Sequence, residues 1–398
     1  MKGQIVNTLF ARAASTFLNF LIALVIARHA GPEVKGEVTL LITTVWFVLF
    51  FSNVLGGPVL VYVVPRSSIE KLLVPAYLWS VLVSLVALAF LYWFPTFPVS
   101  MAVPVAAIGL LSSLAGIHQT VLLAKKEINK SNFISLLPLA LQTAGVLLCF
   151  YVLDVHDVNA YIYASLAAYA IAGIFSGVYI RNYVGRLQVS LSEVTAELVK
   201  LFQHGFMYQL VEILQLLNLR YYFFQLGLQQ GNKYLGIYSI GISILESVWL
   251  IPRSMATVHY VSTSNTTEIE KEKTRTIRLA QISFIACGAA LLLIWLVPNE
   301  VYVYVFGKGF SDVKHSVRFL YPGIWVYSVW HVLGSYYFGT GNYKPLLLSN
   351  LAGVVVLMVS SAFLIPQYVM SGAGLAATLS FAAATGLLVF YFGRELNR

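Results

Sequence analysis

The sequence predicts an all-α polytopic membrane protein, with 12 transmembrane helices in two pseudo-symmetric six-helix bundles and both termini cytoplasmic. Three observations predict this: the composition, the length of the apolar runs, and a pattern that restarts near the midpoint. Hydrophobic residues make up 59% of the 398-residue chain and charged residues only 10%, against about 25% charged in an ordinary soluble domain. Each run is long enough for a hydrocarbon core about 30 Å thick, which takes roughly 20 apolar residues. Segments of a membrane barrel would be half that length and would alternate with period two.

The expected spans are 5–29, 37–63, 72–94, 100–123, 131–153 and 159–181 in the first half. Those of the second half are 202–227, 234–257, 279–298, 316–338, 345–365 and 371–393. The first span is too long for a signal-peptide core, and no small-residue cleavage site follows it, so it is expected to remain as a helix. Seventeen Lys and Arg residues, Arg253 at the end of the eighth span among them, sort to the termini and the even-numbered gaps. Only six fall on the other side. The positive-inside rule therefore puts both ends in the cytoplasm. The formal charge of +9 is mostly this bias, and no nucleic-acid partner is implied. Cys149 and Cys287 lie inside apolar runs as small hydrophobes, which suggests no disulfide framework.

The domain reading is an N-terminal lobe at 1–185, a cytoplasmic amphipathic linker at 186–201 and a C-terminal lobe at 202–398. In the linker, Ser190 and Glu193 resemble a capping box, and Leu191, Val194, Leu198 and Leu201 recur at helical spacing. The segment 266–278 mixes acidic and basic residues as a solvated helical extension would. Gly31-Pro-Glu-Val-Lys-Gly36 follows the first span, and Gly231-Asn-Lys-Tyr-Leu-Gly236 follows the seventh, 200 residues later. A parallel repeat of this kind is the construction of a transporter, with the substrate site expected between the halves.

Charge inside a span costs about 2.5–3.5 kcal/mol on insertion scales, so it normally faces a cavity or a partner. Arg12 is such a residue, with Thr8, Ser15, Thr16 and Asn19 continuing its face at helical spacing. A guanidinium there would grip a pyrophosphate bidentately. The alternative is a structural arginine at the interface or on a neighbouring helix. Tyr208, Glu212 and Gln215 form the corresponding stripe of the seventh span. Glu212 is expected to hold Arg12 in the empty protein or to act as a protonatable switch, and Glu246 competes for the coupling role. Arg220 is either a second phosphate station or the partner of Glu246. His118 and His331 read as helix-packing histidines, and no metal site, cofactor or catalytic constellation is expected. Pro58, Pro138, Pro252 and Pro322 are expected to kink their spans.

Arg12, Ala27-Arg-His-Ala-Gly-Pro-Glu-Val-Lys-Gly36, Leu217-Asn-Leu-Arg220, Leu235-Gly-Ile-Tyr238, Phe306-Gly-Lys-Gly-Phe310, Tyr321-Pro-Gly323 and Gly372-Ala-Gly374 together resemble the Wzx-like polysaccharide-biosynthesis flippases. That family belongs to the MOP superfamily, which also contains the MATE exporters. Tyr222 stands where the family often has an acidic residue, and Lys35 where it often has an aromatic one. The resemblance implies a two-lobed, multi-pass protein of a prokaryotic inner (cytoplasmic) membrane, surrounded by membrane lipids. Its implied cargo is a polyprenyl-pyrophosphate-linked oligosaccharide, such as an O-antigen, capsule or exopolysaccharide repeat unit, carried to the external leaflet. Polysaccharide polymerase machinery is a candidate partner. The alternative is a MATE-type sodium- or proton-coupled drug or cation exporter. Such a protein wants carboxylates inside its first bundle, whereas every acidic residue of the first half lies at a span end or in a loop.

Overall fold

A computed structural model describes residues 2–64, 68–94, 97–185, 191–264 and 268–396. Among them there are helices and no strand. The helices are α1 (Lys2–Gly56), α2 (Pro58–Val63), α3 (Ile69–Trp93), α4 (Val99–Ala124), α5 (Ile128–Tyr151), α6 (Val158–Arg181) and α7 (Leu191–Gln230). Then follow α8 (Asn232–Glu246), α9 (Leu250–Ser264), α10 (Ile269–Leu296), α11 (Asn299–Phe306), α12 (Val313–Ser316), α13 (Tyr321–Thr340) and α14 (Tyr343–Leu396). Among the described residues, eight helical stretches are long and apolar enough to cross a membrane. Four of them, α3 to α6, begin and end within a few residues of the expected spans.

Two stretches exceed one crossing. Ala13–Val61 spans 49 residues and Tyr343–Leu396 spans 54, and each would reach about 75 Å or more at 1.5 Å per residue. Each is broken by a residue with non-helical dihedrals. In α1 this is Gly31 (φ 79°), followed by Pro32. In α14 it is Val369 (φ 50°), three residues after Pro366. Positive φ costs a glycine little and a β-branched valine much. The prolines expected to kink their spans divide. Pro58 opens α2 after a break at Gly57, and Pro138 sits within an unbroken α5. Pro252 follows a 3₁₀ turn at Ser247–Trp249. Pro322 is in the first turn of α13, where the missing N–H disrupts nothing.

The chain forms two compact units, one of Met1–Ala30 with Glu37–Gln209, the other of Gly31–Gly36 with Leu210–Arg398. In the first, Val54, Leu60, Leu72, Ile117, Val121, Ile180 and Leu201 share one apolar core. Leu201 belongs to that core, and Gly205 lies so near the Val54 carbonyl that an added Cβ would stand 2.6 Å from its oxygen. This packing carries the unit's edge to Gln209, within a helix that runs unbroken from Leu191 to Gln230. Of the linker's capping pair, Ser190 lies outside the described residues, and so does the side chain of Glu193. Just past α6, Tyr183 Oη donates to Glu127 Oε1, and the Gly185 amide donates to Glu70.

In the second unit the two glycine motifs pack on each other by equivalent contacts. A Cβ at Gly36 would stand 1.8 Å from the Asn232 carbonyl oxygen, and one at Gly236 would stand 1.8 Å from that of Pro32. Gly31 and Gly231, with φ of 79° and 104°, set up the two approaches. Absence of a side chain is what lets the backbones come this close. Buried Lys35 donates from Nζ to Ser239 Oγ at 3.2 Å.

Candidate substrate site

Three polar groupings of the second unit involve the expected site residues or their neighbours, and they differ in hydrogen bonding. The first is a buried tie. Asn218 of α7 donates from Nδ2 to the Asn350 carbonyl at 3.2 Å, and Ser380 Oγ lies 2.6 Å from Asn218 Oδ1 as its donor. Asn350 Nδ2 reaches the Val211 carbonyl at 3.4 Å. These bonds join α7 to both segments of α14 and use most of the available donors, so the residues are occupied with packing.

The second grouping is the pair of Arg220 and Glu246. Its Nη1 and Nη2 donate to Glu246 Oε1 and Oε2 at 2.6 and 2.7 Å, in a two-pronged pair. Nη1 also reaches the Leu219 carbonyl, and the guanidinium lies 5.1 Å from the Phe223 ring centre. The two side chains are only 11% and 14% exposed. Such a pair holds because the planar fork matches the carboxylate. Removing one partner would strand a buried charge. Arg220 is thus neutralised by Glu246, and Glu246 is committed to it.

The third grouping is different. Glu212 and Gln215 are half-buried on one face of α7, and Arg253 is exposed on α9. Trp249 sits four residues before Arg253, one helical turn away, with its ring centre 5.5 Å from the guanidinium. That spacing favours a cation–π contact. Tyr327 and His331, one turn apart on α13, pack edge-on or tilted against the same Trp249 at 5.3 and 5.1 Å. Arg253 acts electrostatically on Glu212, Tyr327 and His331. Among the described residues it has no carboxylate within ion-pair distance. Tyr327 Oη and His331 Nε2 are buried without an aligned hydrogen-bond partner, although Gln215 approaches the tyrosine. Both orphans lie near an exposed cation and a half-buried carboxylate. Trp249 and Tyr327 are fully buried, so the group this cluster presents at its surface is the Arg253 guanidinium, which suits an anionic ligand.

The remaining expected site residues fall in the first unit. Arg12 lies in α1, but its side chain is outside the described residues. Ser15 Oγ donates to the Ala11 carbonyl at 2.9 Å, and Asn19 Nδ2 donates to the Ser15 carbonyl at 2.8 Å. Their oxygens keep acceptor capacity, and Asn19 is exposed. Sequence reasoning placed Glu212 and Gln215 in the stripe but counted Arg253 only towards topology. The signal was available: a cation inside the expected span 234–257, one turn after a tryptophan. His331, expected to be a satisfied packing histidine, is buried among rings, and its Nε2 has no hydrogen-bond partner among the described residues. The aromatic walls that exclude other partners from the ring could not be read from spacing.

No protein-family model matches the chain, and no curated protein matches its sequence. Solved structures do. A multidrug resistance MATE family transporter of the MOP superfamily in an inward-facing conformation superposes with a TM-score of 0.74 at 12% identity, covering 96% of this chain and 94% of that one. Lipid II flippase MurJ in an inward closed conformation gives 0.74 at 12% identity, covering 98% and 87%. A MOP superfamily transporter from Pyrococcus furiosus, described as having a binding pocket of reversed polarity, gives 0.68 at 12% identity, covering 98% and 94%. At such identities the likeness establishes the fold alone, the one these three proteins share.

Proposed function

We propose that the protein is a transporter, with twelve spans in two six-helix lobes and cytoplasmic termini, that flips a polyprenyl-pyrophosphate-linked oligosaccharide from the cytoplasmic to the external leaflet by alternating access. The observation that carries this reading is the unneutralised Arg253 set among orphaned polar atoms and an indole face. A guanidinium gripping a pyrophosphate gains two charge-assisted hydrogen bonds. Trp249 and Tyr327 are fully buried, so of this grouping the exposed Arg253 is the part available to a headgroup. Arg12 is the corresponding candidate in the first unit, with Ser15 and Asn19 on its face. Arg220 and Glu246 drop out of the direct role because each occupies the other. Glu212 remains the coupling candidate, since a half-buried carboxylate with no ion-pair partner among the described residues can exchange a proton during the cycle.

The same Glu212 favours one competing reading, a MATE-type exporter of cations, because a carboxylate in an apolar span can also attract a cation. Deletion of the gene followed by lipid analysis separates the two. Accumulation of polyprenyl-pyrophosphate oligosaccharide in the inner leaflet is the result expected. Normal surface glycans with increased sensitivity to cationic drugs would support the exporter instead.

A further inference from the structure

A second buried acid–base grouping lies away from that site, where the end of α9 meets the start of α10. His259 is fully buried and Glu272 is 8% exposed. The hydrogen positions follow from the bonding around Thr276. Its Oγ1 donates to the Glu272 carbonyl at 2.6 Å, so its single proton is committed. It lies 2.7 Å from His259 Nε2 and can only accept there. Nε2 therefore carries the proton of the neutral ring, and Nδ1 presents a lone pair. Nδ1 is buried without an aligned hydrogen-bond partner, and Glu272 Oε2 is 3.2 Å away. A lone pair thus faces a carboxylate in a buried setting, an arrangement that one added proton converts from repulsion to a charge-assisted hydrogen bond.

We propose that His259 and Glu272 form a proton-binding site that clamps α9 to α10 when occupied. The surrounding groups tune it without filling it. Ser262 Oγ donates to Glu272 Oε1 at 2.8 Å, and Arg275 Nη1 lies 3.6 Å from that same oxygen. Those contacts fall on Oε1, while Arg275 opposes a second cation on the imidazole. Lys273 is engaged elsewhere on α10 and α14, donating to Glu270 Oε1 and to the Glu395 carbonyl, each at 2.7 Å. From α13, Gly339 packs on Thr263 and on the Tyr260 carbonyl, and Tyr336 and Tyr337 couple to Glu395. No free carboxylate beyond Glu272 faces the ring among the described residues.

The consequence is that acidity in the compartment bathing the 258–278 connection controls how firmly spans eight and nine are joined, whatever the protein carries. Two measurements on the full chain in nanodiscs test this. The first is ¹⁵N NMR of the histidine rings from pH 5 to 9. The His259 nitrogens should move from neutral to imidazolium values within that range, with Nε2 protonated throughout. A ring that stays neutral from pH 9 to 5 overturns the proposal. The second is hydrogen exchange over residues 255–280, corrected for intrinsic rate. Protection should rise at least tenfold as the site fills, and Glu272→Gln should flatten that dependence. A Glu272→Gln profile superimposable on the native one overturns it equally. The NMR arm needs no variant, so a folding defect in Glu272→Gln leaves the test intact. Neither arm involves substrate, so failure here is distinct from failure of the flippase reading.

Discussion

His118 and His331 occupy the fourth and tenth expected spans, corresponding places in the two halves, and their surroundings are opposite. His118 in α4 lies 2.6 Å from Tyr77 Oη and 2.7 Å from Ser176 Oγ. Ser176 Oγ also reaches the Gly173 carbonyl at 3.0 Å as donor. The ring thus donates from Nδ1 to Ser176 and accepts from Tyr77 at Nε2, with both nitrogens used in joining α3, α4 and α6. His331 in α13 is walled by Trp249, Tyr327 and Trp330, and its Nε2 finds no partner. The lesson is that burial alone does not identify a functional group in a membrane bundle. Unused hydrogen-bonding capacity is a better guide, and two such atoms of the second unit, Tyr327 Oη and His331 Nε2, lie near an exposed arginine.

The same distinction separates the two arginines of the second unit, and there the largest effect is expected. Glu246→Gln should destabilise the protein by about 3–5 kcal/mol, as loss of one member of a buried pair does. Loss of folded protein on size-exclusion chromatography and a lowered Tm would report it. Replacing both Arg220 and Glu246 with leucine should recover much of the loss, because the stranded charge is gone. Arg253→Ala should change the unfolding free energy by no more than about 0.5 kcal/mol, the usual range for an exposed position. Equal destabilisation by Glu246→Gln and Arg253→Ala would erase the distinction.

The histidines come next. His118→Ala removes two interhelical bonds, each worth about 0.6 kcal/mol on average and up to about 1.7 kcal/mol, so a loss of about 1–3 kcal/mol is expected in thermal unfolding. His331→Phe keeps the ring's packing and should stay within about 1 kcal/mol, while weakening substrate binding. A His331→Phe variant as unstable as His118→Ala would mean that His331 is structural after all.

The smallest effect concerns Glu127, outside the spans. The hydrogen bond from Tyr183, and then the bond and charge of Lys130, hold its carboxyl below the usual range. A depressed folded-state value means that this contact is intact above the unfolded carboxylate range and is lost as pH falls through the folded value. Tyr183 fluorescence or exchange at residues 180–185 should therefore change only in acid, and Glu127→Gln should remove the change.

How much of this was legible in the sequence follows from distance along the chain. The helices α3 to α6 were readable because each is an unbroken apolar run between charged or proline-bearing gaps. The Gly31 break was readable because its glycine recurs as Gly231 before α8, with a second glycine five residues on in both copies. The Val369 break was not, since a valine carries no sign of positive φ. Nor was the Asn218 tie, whose partners lie 132 and 162 residues away. The Arg220–Glu246 pair was visible as one of two options because only two charges share that depth in neighbouring spans. Arg253 was hidden by position, at the end of a run where a cation reads equally well as a topological anchor.

The most direct test reconstitutes the purified protein in vesicles carrying a fluorescent short-chain polyprenyl-pyrophosphate oligosaccharide, alongside vesicles loaded with a cationic dye, and follows leaflet transfer and dye movement. The account predicts transfer of the pyrophosphate-linked glycan, a fall of at least tenfold for a normally folded Arg253→Ala, and partial retention for Arg253→Lys. Transfer by Arg253→Ala at the native rate, or movement of the dye with no movement of the lipid-linked glycan, would contradict it.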